Sequence, residues 1–176
     1  KYSPPKLWYQ WSRKVNLIDS VLVVNQLTNT LDYALEGLEA HKNAGTEIKY
    51  VELGNEMYDN SRPDVLAKYP TPADYAQTMV NWTKQIKLKF PKTHVALIGV
   101  RWDTKDASQR ELTWNKQVLQ NPISYQADAA TLHIYCNLYG GITRVDQYGS
   151  FLGGAFTYVE NNRQNAGFLR LSIQKR

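Results

Sequence analysis

The sequence predicts an α/β protein built on a parallel sheet, and three observations carry that reading. Short apolar runs that read as strands alternate with segments of helical spacing. The runs are continuously apolar, as strands covered on both faces must be. No run is followed by a glycine-rich phosphate loop, which counts against the nucleotide-binding versions of an open doubly wound sheet. Two architectures fit the alternation, an open doubly wound sheet and a (β/α) barrel. A closed barrel of eight units takes about 250 residues, with about 200 at the low end, so 176 residues provide only part of one.

In chain order, residues 1–20 read as an irregular entry segment. Pro4-Pro5 and Trp8, Tyr9 and Trp11 lie there among polar residues, with a short helix expected around 8–14. Residues 21–25 form a β-branched apolar run, a buried strand. Thr28 or Thr30 then caps a helix whose Leu31, Leu35 and Leu38 share a face and which stops at Asn43-Ala44-Gly45. A second strand covers 48–54, followed by a polar loop through Asp59-Asn60-Ser61-Arg62-Pro63.

The strongest helix signal follows. Thr71 is the N-cap, Pro72 the first helical residue, and Asp74 stands where it can answer the cap. Tyr75, Met79, Trp82 and Ile86 make the apolar stripe, and Phe90-Pro91 ends the helix. Residues 94–100 read as a third strand. A helix over 109–119 is expected to pack through Leu112, Val118 and Leu119, and 127–134 read as a fourth strand. A helix over 145–162 and a fifth strand over 168–173 complete the pattern.

Composition narrows the function classes. The net charge of +5 comes from lysines and arginines scattered singly, with no basic run interleaved with aromatics, so no nucleic-acid partner is expected. No apolar run approaches the roughly 20 residues of a membrane span. Cys136 is the single cysteine and excludes an internal disulfide. His41, His94 and His133 fall on separate elements without ligand spacing, so no metal or other cofactor is expected. The compartment stays open, a secreted or lysosome-like one included.

The polar residues that end the strands are the informative ones. The carboxyl ends of parallel strands are where α/β proteins carry their chemistry. The first strand offers Asn25 and Gln26, the second Asn55 and Glu56, the third Arg101, Trp102 and Asp103, and the fourth His133 and Tyr135. Amides, imidazole and phenol can bind sugar hydroxyls, an indole can stack on a sugar ring, and a carboxylic acid can protonate a leaving oxygen. Glu52 shares a strand face with Glu56, and an ion pair inside the barrel is the expected use for it.

The stretch Glu52-Leu53-Gly54-Asn55-Glu56-Met57 resembles the fourth-strand motif of the large clan of retaining glycoside hydrolases with (β/α)8 barrels. Its nearest echoes are the α-L-arabinofuranosidase and heparanase-like β-glucuronidase families. Leu132-His133-Ile134-Tyr135 is similar to the His-aromatic pattern that ends the sixth strand of arabinofuranosidase-like members. The resemblance implies an α/β fold in the form of a partial (β/α)8 TIM barrel, roughly strands three to seven with their helices, over a single incomplete domain spanning 1–176. It implies Glu56 as general acid/base and Asn55 as a contact to the sugar 2-hydroxyl. His133, Tyr135, Asn25 and Trp102 are the further candidates for a carbohydrate substrate.

The chain departs from the clan at the second carboxylate. A retaining mechanism needs a nucleophile about 5 Å from the acid/base, and in the clan a Glu ends the seventh strand. The segment Phe168-Leu169-Arg170-Leu171-Ser172-Ile173-Gln174 offers no Glu, and Glu160 falls in a segment read as helix. The expectation is the acid/base-bearing part of a retaining glycosidase, inactive alone and completed by another chain or a missing segment. The alternative is a degenerate barrel fragment that binds carbohydrate or serves as an assembly surface.

Overall fold

A computed structural model of the chain describes residues 5–15, 19–100, 107–121, 124 and 126–133. The elements expected over 145–162 and 168–173 lie outside the described residues. In order the chain forms α1 (Pro5–Lys14), β1 (Val21–Val24), α2 (Leu31–Asn43), β2 (Tyr50–Leu53), α3 (Pro63–Lys68) and α4 (Pro72–Lys89). β3 (His94–Gly99), α5 (Gln109–Val118) and β4 (Ala129–Leu132) follow.

The described strands form one parallel sheet in the order β1-β2-β3-β4. Each strand lies beside its predecessor, so the sheet advances in one direction without the reversal that defines a doubly wound fold. This is the progression of a (β/α) barrel, seen over four of its strands. Register places Val23, Glu52, Ala96 and Ala129 side by side. Side chains alternate along a strand, so His133, four residues beyond Ala129, falls on the same face as Glu52.

The helix starts follow the sequence closely. Thr30 caps α2, accepting from the Tyr33 backbone N–H. At α4 Thr71 and Asp74 form a reciprocal capping box with Pro72 in the first turn. Its buried face carries Tyr75, Ala76, Met79, Trp82, Thr83 and Ile86, which pack with Val51, Leu53, Val95 and Leu97 into the core. Asp128 ties the start of β4 to its neighbours, accepting from Lys87 Nζ at 2.7 Å and from the Val95 backbone N–H at 2.8 Å.

Three expectations need correction. The helix expected around 8–14 is present but longer: α1 covers Pro5–Lys14. The polar loop after β2 contains the short helix α3, started by Pro63 and anchored by buried Val65 and, one turn on, Tyr69. On α5, Leu112 faces outward at 55% exposure. That helix instead buries Trp114, Asn115 and Val118, and a second capping box, Ser108 with Glu111, opens it. Trp114 is fully buried, and its indole N–H donates to the Ile98 carbonyl at 2.7 Å.

Candidate active site

The site begins where β2 ends. Gly54 has φ +101°, in the left-handed region, and a Cβ there would collide with the Gln26 side-chain amide. Only glycine lets the chain pass so close to Gln26 at that φ. Gln26 is fully buried and donates from Nε2 to the Leu53 carbonyl at 3.1 Å. The Tyr75 hydroxyl donates to the same carbonyl at 2.7 Å and accepts from the Ile98 N–H at 3.1 Å. Burial raises the pKa of Tyr75, so it serves here as a neutral phenol. These bonds fix the ends of β1, β2 and β3 against one another.

Glu56 follows two residues later with φ +52°, the one non-glycine residue of positive φ among the described residues. That backbone costs on the order of 1–2 kcal/mol for an L-residue, and the turn around it is secured on three sides. The Asp59 N–H donates to the Glu56 carbonyl at 3.0 Å, and the neighbouring Met57 side chain is buried. Arg110 of α5 donates to the Met57 carbonyl at 2.9 Å and to the Pro70 carbonyl at 3.0 Å, with its guanidinium over the Trp114 ring. β3 is finished in a similar way. The Asn115 side chain accepts from the Val100 N–H at 2.9 Å and donates to its carbonyl at 2.7 Å, as a neighbouring strand would.

The strained turn delivers the Glu56 carboxylate to His133. Nδ1 of His133 lies 3.2 Å from Glu56 Oε1, and Nε2 lies 2.9 Å from Glu52 Oε1. The ring therefore lies between two carboxyl groups, and its tautomer decides which atom donates at each contact. The Glu52 hydrogen bond raises the His133 pKa against the pull of burial, and the charge of Glu52 and the bond and charge of Glu56 act in the same direction. Glu52 is fully buried, while the Glu56 side chain keeps 23% of its surface in solvent. One carboxyl group of the cluster is therefore buried and the other partly exposed.

Of the candidates, Glu56 and His133 meet directly. Asn55 is exposed at the turn between Gly54 and Glu56. Asn25 is occupied by its own turn: Oδ1 accepts from the Leu27 and Thr28 N–H groups at 3.0 and 3.2 Å, and Nδ2 donates to Thr28 Oγ1. It lines a groove beside β1 with Val21, Val23, Asn29, Tyr33 and His41. Trp102 and Tyr135, with Arg101 and Asp103, lie outside the described residues. Arg110 was not foreseen, although its spacing of four from Trp114 is a helical cation–π pattern. Among the described residues no group of three or more His, Cys, Asp or Glu could hold a metal ion, and no helix is long and apolar enough to cross a membrane.

The fold is that of part of a (β/α)8 barrel, and it is similar to the barrels of solved glycoside hydrolases. A family 51 α-L-arabinofuranosidase from Bifidobacterium longum superposes with a TM-score of 0.62 at 20% sequence identity, over 96% of this chain. The α-L-arabinofuranosidase of Thermotoga maritima, solved as an arabinose complex, gives 0.57 at 19% identity, and the family 51 enzyme of Thermotoga petrophila gives 0.55 at 19%. The chain spans 37% of the length of each of these structures. No protein-family model matches the sequence, and no curated protein matches it.

Proposed function

We propose that this chain is the acid/base-bearing part of a retaining glycoside hydrolase acting on a glycan or glycoside, as one incomplete barrel domain over 1–176. One observation carries the reading: a partly exposed carboxyl group, Glu56, sits on a strained turn at the carboxyl edge of the sheet, 3.2 Å from Nδ1 of His133. In its protonated form Glu56 would give its proton to the glycosidic oxygen as the bond to the leaving group breaks, leaving the carboxylate. It would then take a proton from the water that resolves the glycosyl-enzyme. Asn55, exposed beside it, is placed for a sugar hydroxyl, and His133 keeps Glu56 oriented. Structural neighbours with arabinofuranosidase activity support a furanoside or related sugar as the first class to assay.

The nucleophile is expected from another segment or another chain. Glu52 cannot serve, because a fully buried carboxylate does not reach an anomeric carbon. The 176-residue chain alone should release no product from aryl glycosides, and turnover by that chain would overturn this part of the reading. In the complete assembly, Glu56→Gln should lower kcat/KM by about 10²–10⁴-fold on substrates with poor leaving groups. The loss should be far smaller with an activated aryl leaving group, which needs no proton. An equal loss on both substrates would remove Glu56 from the acid role.

The second reading, a fragment that binds sugar or serves assembly without catalysis, is favoured by the absence of a Glu in Phe168-Leu169-Arg170-Leu171-Ser172-Ile173-Gln174. A structure of the whole assembly decides between them. A second carboxylate about 5 Å from Glu56 supports retaining hydrolysis, and a site with no such carboxylate supports the binding role.

A further inference from the structure

The most unusual group in the described structure is Glu52. It is a carboxylate with no exposed surface, and its Oε2 has no hydrogen-bond partner among the described residues. A lone buried carboxylate is costly and an apolar side chain would fill the same space more cheaply, so its retention calls for an account. Its one described partner is His133 Nε2 at 2.9 Å, and the opposite nitrogen of that ring faces Glu56 at 3.2 Å.

We propose that Glu52 is a positioning residue for Glu56: from the sheet interior it pins His133 by Nε2, so that Nδ1–H is held on the Glu56 carboxylate. The inference rests on the reading of Glu56 as the acid/base but concerns a residue that no substrate touches. Neither bond alone would suffice. A ring bonded only to Glu56 could rotate about χ2 or adopt the tautomer with a bare Nδ1, which would repel a carboxylate. Glu52 removes both alternatives, because a buried anion at Nε2 requires a proton there and favours a second proton at Nδ1. The greater burial of Glu52 makes it the fixed end of the relay, and the partly solvated Glu56 the end whose contacts can change. Among the described residues the ionisable groups facing the ring are Glu52 of β2 and Glu56 of the following turn. Tyr75 of α4 senses the charge of Glu52 but spends its hydroxyl on Leu53 and Ile98.

The test is nuclear magnetic resonance on the 176-residue chain, which needs no substrate. Three histidines keep the ring spectrum simple, and His133→Asn identifies the signal. In the wild type both His133 ring nitrogens should be protonated at pH 7, and the Glu56 carboxyl carbon should show an inflection at the His133 midpoint. Glu52→Gln, which preserves shape and an acceptor for Nε2–H, should lower that midpoint by about one pH unit or more and carry the Glu56 inflection with it. Glu56→Gln should lower it less. An unmoved midpoint in Glu52→Gln, or a Glu56 signal that ignores His133, would overturn the proposal. If Glu52→Gln does not fold, the wild-type spectrum decides: a neutral ring at pH 7, or a bare Nε2, is incompatible with it. Failure of the glycosidase reading would show instead in the leaving-group and assembly experiments, with these spectra unchanged.

Discussion

The ends of β1 and β2 begin from similar material and finish differently. Each strand leaves the sheet with an amide followed by a second polar residue, Asn25-Gln26 in one and Asn55-Glu56 in the other. After β1, the Asn25 side chain folds back on its own turn, with three bonds to Leu27 and Thr28. After β2, the turn is left-handed at Gly54 and again at Glu56, and the polar group is sent across the sheet to His133. A short Asn side chain can satisfy itself locally, because its acceptor sits one methylene from the backbone. A Glu on a left-handed turn cannot cap that turn and must find a distant partner. The difference separates a turn closed on itself from one whose side chain reaches across the sheet.

The largest way to break that contrast is to remove the shared partner. His133→Ala leaves Glu52 buried without a counter-ion and should cost about 3–5 kcal/mol in urea unfolding. The same pairing gives a pH signature. The folded-state pKa of His133 lies above its ordinary 6.5, so the ring's contribution is fully present below about 6.5 and is lost as pH rises through the raised value. Wild-type stability should fall across that interval, and His133→Asn should lack the fall. A wild-type curve flat over the same range would mean that the ring is neutral.

Next in size is Gly54→Ala. The substitution meets Gln26 and a positive φ together, and should destabilise by about 3 kcal/mol, read as a lower urea midpoint with an unchanged slope. Arg110→Ala follows at about 2 kcal/mol, since a charged donor leaves the Met57 and Pro70 carbonyls. Its informative readout is local. Amide exchange should accelerate at Asp59, whose N–H closes the turn on Glu56, and hardly change in β1.

These residues also show how far the sequence could be read. The strands, the capping of α2 and α4, and the polar residues that follow the strands were all legible. They depend on local spacing or on a strand period of two, and both are written directly in the chain. The burial of Gln26 beneath Gly54, the reach of Arg110 to Met57, and the choice of Trp114 over Leu112 were not. Each is set by which elements the sheet brings together, between residues 28 to 53 positions apart in the first two cases. Glu52 was read correctly as a paired charge inside the sheet, but its partner was hidden because the His133 contact spans 81 positions. Polar groups that bond locally declare themselves; those that bond across the sheet do so only through topology.

The smallest effect sharpens the comparison most. Asn25→Ala removes three local bonds, yet the two backbone N–H groups it frees are at an exposed turn and can turn to water. The expected cost is about 1 kcal/mol, with the His133 ring signal unaltered, because nothing in the Asn25 turn touches the Glu52–His133–Glu56 cluster. Asn25→Asp should recover most of the loss, since a carboxylate oxygen accepts from the same two N–H groups. If Asn25→Ala instead weakened sugar binding in the complete assembly without changing stability, Asn25 would belong to the substrate pocket and its turn would be incidental. The two strand ends would then be parts of a single site rather than a turn closed on itself and one that reaches across the sheet.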